Sequence, residues 1–312
     1  MTSPVVFNVV WAGTVSAQLG YFVESQMAQS TASYRFIVNA CPDDELRRIE
    51  LLADKHADRV VEIFSASNTS DMETHGHCLD LVRAARDDGD YFALIDTDIK
   101  AKGPFLAPVL ELVDEPGVAA VCGGRGVWCE NDVIPEGHVG VNGEYFYDAD
   151  GFFFGSPHFA IYDRAALDDT VTRWGVGFGV NGGGLSDEAT AALEAAGHRY
   201  WLWDTGKLLN TFLQIDGYRV VHHEPDNLMH IGGVAHYLSP PEAVKGSGVM
   251  ALGRVDETRW ESSRFGVAGF CADVLMAADE GQPSPVIPNK VDDVLRAKLE
   301  MVRREILEMV LP

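Results

Sequence analysis

The sequence predicts an α/β fold in which helices cover both faces of a mostly parallel sheet, with a C-terminal helical extension. Short apolar runs rich in β-branched and aromatic residues alternate with segments of helical periodicity through residues 1–122. Residues 123–280 are rich in glycine and aromatic side chains and show fewer regular patterns. Residues 281–312 contain a linker with proline and serine and one long amphipathic pattern, so we expect three segments with these boundaries.

The first segment reads as strand and helix in regular alternation. Strands joined by helices of this length run parallel and are buried on both faces. The predicted elements are strand Val5–Trp11, helix Val15–Gln29, strand Tyr34–Asn39, helix Asp43–Ala53, strand Arg59–Phe64, helix Thr74–Asp88, strand Tyr91–Ile95, helix Pro104–Val113 and strand Val118–Cys122.

The rest of the chain gives weaker patterns until its last helix. We expect strands over His158–Tyr162 and Tyr218–Val221 and short helices over 186–196 and 206–215. After the linker Gly281–Pro288, the helix Val291–Val310 has apolar residues at heptad-like spacing. Its apolar face either packs on its own domain or forms a homodimer.

Charge and cysteine usage limit the possible partners. The chain of 312 residues carries a formal charge of −23, which disfavours nucleic acid and anionic lipid as partners. A phosphate-bearing ligand would need a divalent cation or a helix N-terminus beside it. The five cysteines show no zinc-ligand spacing, and neither a signal peptide nor a transmembrane run is recognisable. We expect a soluble cytoplasmic protein with reduced thiols and no integral membrane segment.

Two carboxylates follow the apolar run Tyr91–Ile95 directly. In extended backbone, residues i and i+2 point to the same side, so Asp96 and Asp98 can converge on one hard cation at the carboxyl end of a central strand. A solvated turn is the alternative, but two unpaired carboxylates beside a buried strand repel each other. The same spacing also occurs in a polar turn and in a Gly/Asp loop, at Asp88/Asp90 and Asp148/Asp150.

The segment "DDGDYFALIDTDIKAKGPFL" (Asp87–Leu106), preceded by a helix with Gly76 and Leu79, resembles the nucleotide-binding half of GT-A glycosyltransferases, most closely glycosyltransferase family 2. The resemblance covers residues 5–235. It implies that residues 1–122 bind a nucleotide-sugar donor, a UDP- or GDP-sugar, and that residues 123–280 bind a small-molecule or glycan acceptor. It also implies that Asp96 and Asp98 bind Mn²⁺ or Mg²⁺ together with the donor diphosphate.

The resemblance suggests further donor and metal contacts. Trp11, Asn39 and Asn68 end the first three strands, where the donor nucleoside would lie; Trp11 either stacks on the base or belongs to the core. His230, in "NLMHIGGVAHY", resembles the last metal ligand of the family. Its neighbours His222, His223 and His236 are alternatives.

Sugar transfer with inversion requires a base for the acceptor hydroxyl. Asp204, in "YWLWDTGKLL", resembles the family's catalytic carboxylate in position, although an aspartate there also fits a helix N-cap. Asp187 and Glu188, after a glycine-rich loop, are the alternative bases. Nothing in the sequence fixes the anomeric outcome.

Three other readings compete with a glycosyltransferase. A nucleotidyltransferase would also place a metal on a phosphate chain, but a basic, glycine-rich loop after the first strand is missing from Ala12–Leu19. A non-catalytic carbohydrate- or metal-binding module would keep the acidic pair without a reaction. The spacing of Gly177, Gly179 and Gly182 mimics a dinucleotide fingerprint, but these glycines do not follow a clear strand.

Overall fold

The structure is a computed structural model and describes most of the chain. The described residues are 5–13, 16–67, 72–129, 133, 146–147, 152–155, 158–179, 184–198, 204–238, 260 and 263–310. The first half contains β1 (Val6–Ala12), α1 (Ser16–Ala28), β2 (Ser33–Asn39), α2 (Asp43–Lys55), β3 (Val60–Ser67), α3 (His75–Ala85), β4 (Tyr91–Ile95), β5 (Ile99–Ala101), α4 (Leu106–Val113) and β6 (Val118–Gly123). The second half contains β7 (Phe159–Asp163), α5 (Arg164–Trp174), α6 (Asp187–Ala195), α7 (Lys207–Ile215), β8 (Arg219–His222), β9 (Leu228–His230), α8 (Val234–Leu238), α9 (Ser263–Asp279) and α10 (Asp293–Val310).

A seven-stranded sheet forms the centre of the fold, in the order β3-β2-β1-β4-β7-β6-β8. The pairs among β1 to β4 and the β6–β8 pair are parallel, whereas β7 runs antiparallel to both of its neighbours. All five residues of the central strand β4 are buried. The predicted class, a mostly parallel α/β sheet with a helical C-terminal extension, is confirmed.

Two apolar cores lie on opposite faces of this sheet. Phe7 and Val9 of β1 pack in one core, and Phe92 and Leu94 of β4 pack in the other. Within each strand, successive side chains point to opposite faces of the sheet. Helices α1, α4, α9 and α10 contribute to the first core, and α3, α5 and α7 to the second. Helices therefore cover both faces, as the alternating pattern predicts.

Several elements were not predicted, for identifiable reasons. Strands β5 and β9 have three residues each, too few for a periodic pattern, and form a separate antiparallel ribbon. Helix α9 buries side chains on several sides, so it lacks a polar stripe. Helix α5 follows β7 without a loop, capped by the Asp163 carboxylate, which accepts the Ala166 N–H at 2.8 Å. The helix predicted from Pro104 begins at Leu106.

The C-terminal helix α10 packs on its own chain. Its apolar stripe of Leu295, Leu299, Val302 and Ile306 is buried, mainly against α9, so this stripe is not available for the homodimer that was the alternative. Among helices in the described part of the chain, none combines the length and the apolar composition needed to span a bilayer.

A buried arginine joins three elements at the edge of the second core. Arg35 on β2 is 4% exposed and donates two hydrogen bonds of 2.7 Å to the carboxylate of Asp88. It also donates to Glu62 on β3 at 2.8 Å and to the Asn8 side-chain oxygen on β1 at 3.0 Å. Paired, forked hydrogen bonds of this kind fix the relative positions of the strands.

We predict that Arg35→Met lowers the free energy of unfolding by about 3 kcal/mol, because the buried Asp88 carboxylate and Asn8 oxygen lose their donors. Arg48→Met is the matched control, since Arg48 is 51% exposed in its ion pair with Glu45 and its loss costs at most about 1 kcal/mol. Urea denaturation measures both. Equal destabilisation by the two substitutions would contradict a structural role for the buried cluster.

Candidate metal centre and active site

The register of the sheet brings Asp96 and His158 together. Ile95, the last residue of β4, pairs with Phe159, the first residue of β7, so the residues just beyond the pair face each other. The Asp96 N–H donates to the His158 carbonyl at 2.7 Å. The His158 Nδ1 lies 3.0 Å from Asp96 Oδ2. The antiparallel strand β7 thus places the imidazole of His158 beside Asp96, at the end of the parallel strand β4.

The β5–β9 ribbon brings in the remaining groups. Ile99 pairs with His230, which places His230 beside Asp98. The His230 Nε2 lies 3.3 Å from Asp98 Oδ1 and 3.9 Å from Asp96 Oδ2. Ligand atoms of Asp96, His158 and His230 all lie within 4.8 Å of one another, close enough to share one metal ion. The predicted neighbours Asp96, Asp98 and His230 therefore meet in space.

Hydrogen bonding orients the buried imidazole of His230. Its Nδ1 bonds the carbonyl oxygen of Gly124, so in the neutral ring the lone pair is on Nε2, facing Asp96 and Asp98. A lone pair opposite carboxylate oxygens is repulsive, so Nε2 needs a proton or a cation between them. The backbone contact to the second nitrogen is typical of metal-binding histidines.

The pKa values of the pair agree with this picture. Burial alone would lower the pKa of His230, but the hydrogen bond to Asp98 and the charges of Asp98 and Asp96 raise it above its ordinary value. Burial would raise the pKa of Asp98, yet His230 and the Val234 N–H, which Asp98 Oδ2 accepts at 3.1 Å, lower it. The free pair is thus held as imidazolium and carboxylate, and a divalent ion would displace the proton.

The donor set fits a divalent metal. Asp96 and Asp98 offer carboxylate oxygens, and His158 and His230 offer imidazole nitrogens. Carboxylate oxygens suit Mg²⁺ and Mn²⁺, and imidazole nitrogens suit transition metals, so this mixed set fits a divalent ion. His75, at the start of α3, adds an imidazole nitrogen 3.6 Å from Asp96 Oδ1 on the more exposed side.

Trp11 and Asn39 have structural contacts in the described chain. Trp11 is 1% exposed and packs edge-on against Phe36 at 5.4 Å between ring centroids, which leaves no face open to a base. It therefore fills the core, one of the two roles that its position allowed. The Asn39 amide donates to the Glu73 carbonyl and accepts the Glu73 N–H, both at 2.9 Å. Asn68 lies outside the described residues.

Asp204 precedes α7 but does not cap it. The N-cap is Gly206, with φ of +71°, whereas Asp204 Oδ1 accepts the adjacent Thr205 N–H at 2.8 Å. The Gly206 N–H donates to the Phe178 carbonyl at 3.0 Å, and a side chain on Gly76 would collide with that carbonyl. Asp204 is thereby connected to the start of α3, where His75 approaches Asp96.

The other candidate bases and histidines lie elsewhere. Asp187 and Glu188 are exposed in the first turn of α6, after the N-cap Ser186. His222 stacks on Phe146 at 5.1 Å between ring centroids, and its Nε2 lies 2.7 Å from Glu224. These contacts keep His222 in a structural cluster. The His223 N–H donates to the Cys122 carbonyl, and the side chain of His236 lies outside the described residues.

The glycine spacing that mimics a dinucleotide fingerprint has a different role. Gly177 and Gly179 follow the helix α5 rather than a strand, and the next helix begins only at Asp187. The Asp80 carboxylate of α3 accepts the N–H groups of Phe178 and Gly179 at 2.9 Å each. Gly177 and Gly179 thus pack on a helix, whereas a dinucleotide fingerprint needs a strand before its glycines, and Gly182 lies outside the described residues.

Sequence reasoning missed His158, His75 and the nearby Trp128. His158 was placed at the start of a predicted strand, but only the antiparallel pairing of β7 with β4 shows that it faces Asp96. His75 begins α3 and reaches Asp96 across the end of the sheet. No periodic or motif signal marks these residues.

No protein-family model and no curated protein sequence matches this chain. Among solved structures, it is similar to a mannosyltransferase from Pyrobaculum calidifontis in complex with GDP-Man and Mn²⁺, with 14% identity and a TM-score of 0.45 over 99% of this chain and 74% of that one. It is also similar to GalNAc-T7 with UDP, GalNAc and Mn²⁺, with 12% identity, a TM-score of 0.47 and coverage of 98% and 56%. The bifunctional glycosyltransferase WbbM gives 11% identity, a TM-score of 0.44 and coverage of 80% and 50%.

This chain thus spans only about half the length of the last two proteins. The likeness is to proteins of the class that the sequence resemblance implied, the GT-A glycosyltransferases.

We predict that Asp96→Asn and His230→Gln each weaken Mn²⁺ binding by about tenfold or more, because each removes a ligand atom from the set. His158→Gln has a comparable effect if the histidine that the sequence did not reveal is also a ligand. His56→Gln is the matched control, since that ring pairs with Glu24 on α1. Titration of free Mn²⁺ by electron paramagnetic resonance measures all four. Unchanged affinity in Asp96→Asn would contradict the site.

Proposed function

We propose that this chain is a GT-A-type, metal-dependent glycosyltransferase that moves a sugar from a nucleotide-sugar donor to an acceptor hydroxyl. The observation that carries the proposal is the cluster of Asp96, His158 and His230, with Asp98 beside it, at the carboxyl end of β4. Ligands of open α/β sheets bind at that strand end. The resemblance of the segment Asp87–Leu106 to glycosyltransferase family 2 supports the same class.

The charge of the chain supports a diphosphate ligand that binds only with a cation. A protein with a formal charge of −23 repels a free diphosphate. In the proposed site, Asp96, Asp98, His158 and His230 would hold Mn²⁺, whose charge would offset that of the diphosphate. The bound ion would supply Lewis-acid stabilisation of the departing diphosphate.

Other residues of the chain orient the two aspartates, and its two halves bind the donor and the acceptor in this proposal. The backbone N–H of Val234 and the ring of His230 orient Asp98. The side-chain amide of Gln26 donates to the carbonyls of Asp96 and Ile99, at 2.9 and 2.8 Å, and so fixes the loop that carries the two aspartates. Residues 1–122 bind the donor in this proposal, and residues 123–280 bind the acceptor.

Asp204 is the proposed base for the acceptor hydroxyl. It is half-buried, its carboxylate is oriented by Thr205, and its backbone is joined through Gly206 and Phe178 to the helix start beside Asp96. Asp187 and Glu188 remain the alternatives, exposed on α6. Removal of the hydroxyl proton by one of these carboxylates would favour transfer with inversion.

We predict that GDP or UDP raises the unfolding midpoint by about 2–4 °C at 100-fold excess over Kd when Mn²⁺ is present, and not when the metal is chelated. Asp98→Ala abolishes the shift. Asp90→Ala is the matched control, because Asp90 is exposed and belongs to a different acidic pair of the same spacing, Asp88/Asp90. A thermal-shift panel with Mn²⁺, Mg²⁺ or chelator reads out all combinations. Stabilisation without metal would count against the proposed function.

We predict that Asp204→Asn slows release of nucleoside diphosphate from the donor sugar by about 10²-fold or more, because a positioned base contributes that much. Its affinity for Mn²⁺ and GDP or UDP stays unchanged. Asp187→Asn and Glu188→Gln remain within a few-fold of the parent chain. The opposite ranking in a coupled diphosphate-release assay would assign the base to α6 instead.

A further inference from the structure

An unpaired donor lies next to the metal centre. Trp128 follows β6 and is 6% exposed, and its indole Nε1–H is buried without a hydrogen-bond partner among the described residues. By comparison, Nε1 of Trp174 lies 3.0 Å from both carboxylate oxygens of Asp216. A buried donor without an acceptor costs about 1–3 kcal/mol, so its retention calls for an explanation.

The indole nitrogen and the Nε2 nitrogen of His230 both lie close to Gly232. A Cβ on Gly232 would lie 2.8 Å from Trp128 Nε1 and 3.4 Å from His230 Nε2. A Cβ on Gly126 would lie 2.7 Å from the same indole nitrogen. The two glycines therefore let the indole lie against the backbone at positions 126 and 232, and at Gly232 a φ of +76° independently favours glycine.

The backbone fixes this arrangement. The Val127 N–H donates to the His230 carbonyl at 2.9 Å, and Gly126 forms a parallel bridge with His230. The turn that carries Trp128 is thus bonded directly to the residue that carries the imidazole. The indole and the imidazole keep their relative positions because adjacent peptide units hold them.

A positive charge accompanies the unpaired donor. The Arg264 guanidinium carbon lies 4.9 Å from the centroid of the Trp128 ring, in the range of a cation–π contact. An indole N–H can only donate, so its partner must be an acceptor. An anionic oxygen is the acceptor that best matches this N–H, because Arg264 and a metal ion at the neighbouring centre would both attract negative charge.

We propose that Trp128 is a further ligand-binding residue, whose Nε1–H donates to an oxygen of the diphosphate held at the Asp96–His158–His230 centre. This inference rests on the proposed function and extends it to a residue to which the resemblance assigns no role. The donor stays unpaired in the free protein and gains its acceptor when the ligand binds. The Trp128 N–H thus contributes to ligand affinity and not to the stability of the free chain, whereas the ring packs in the first core.

Trp128→Phe tests this because it keeps an aromatic ring and removes the N–H. Isothermal titration with GDP, UDP and inorganic pyrophosphate, each with Mn²⁺, should show about tenfold weaker binding of all three, the loss of one hydrogen bond to a charged acceptor. Affinity for Mn²⁺ alone should be unchanged, and the unfolding midpoint of the free protein should be unchanged or higher.

Trp174→Phe is the matched control. Its N–H is bonded to Asp216, so this variant should have a lower unfolding midpoint and unaltered affinity for all three ligands. Similar behaviour of the two variants in the free state would show that the Trp128 N–H has a structural partner, and would overturn the proposal.

The ligands separate the remaining outcomes. Equal binding of all three by the parent chain and Trp128→Phe would overturn the role of Trp128 and leave the proposed function standing. Weaker binding of GDP and UDP with unchanged binding of pyrophosphate would move the contact to the nucleoside and overturn the diphosphate assignment. If the parent chain with Mn²⁺ binds none of the three, the proposed function and this inference fail together.

Discussion

The site depends on one constraint, the burial of a carboxylate in a protein that is already strongly acidic. Asp98 is 6% exposed, and the chain has 47 acidic against 24 basic residues. Within the described chain, Asp98 pairs with the N–H of Val234 and the ring of His230, and with no lysine or arginine. Burial without compensation would be prohibitive, so this arrangement needs a proton on His230 or a bound cation.

Strand pairing brings histidines from distant parts of the sequence to the two carboxylates. The antiparallel strand β7 places His158 opposite Asp96, and the three-residue ribbon places His230 opposite Asp98. The C-terminal extension supports the ribbon, because Lys100 of β5 donates to the backbone and side chain of Glu305 on α10 at 2.7 and 2.9 Å. A displacement of α10 would therefore reach the proposed metal ligands through β5.

Much of the fold, and three of the four residues Asp96, Asp98, His158 and His230, could be predicted from the sequence. Asp96 and Asp98 were identifiable because they follow an apolar strand directly, and His230 because its surroundings resemble a known ligand. His158 and Trp128 were not, because strand pairing and the glycines around the indole bring them to the site and local patterns carry neither kind of information. Trp11 was ambiguous for a related reason, since a strand end does not reveal whether its last side chain points into the core.

Two neighbouring buried groups of the free protein can each gain a partner from a bound ligand, the imidazole of His230 and the indole N–H of Trp128. His230 needs a cation or a proton in front of Nε2, and Trp128 needs an acceptor beside Nε1. In the proposed function, a metal ion would replace the proton on His230, and the diphosphate bound with that ion would supply the acceptor for Trp128. Binding free energies are reciprocal, so the metal raises the affinity for diphosphate by the factor by which diphosphate raises the affinity for metal. In a chain this acidic, the diphosphate without the metal meets repulsion, so its affinity depends on the ion.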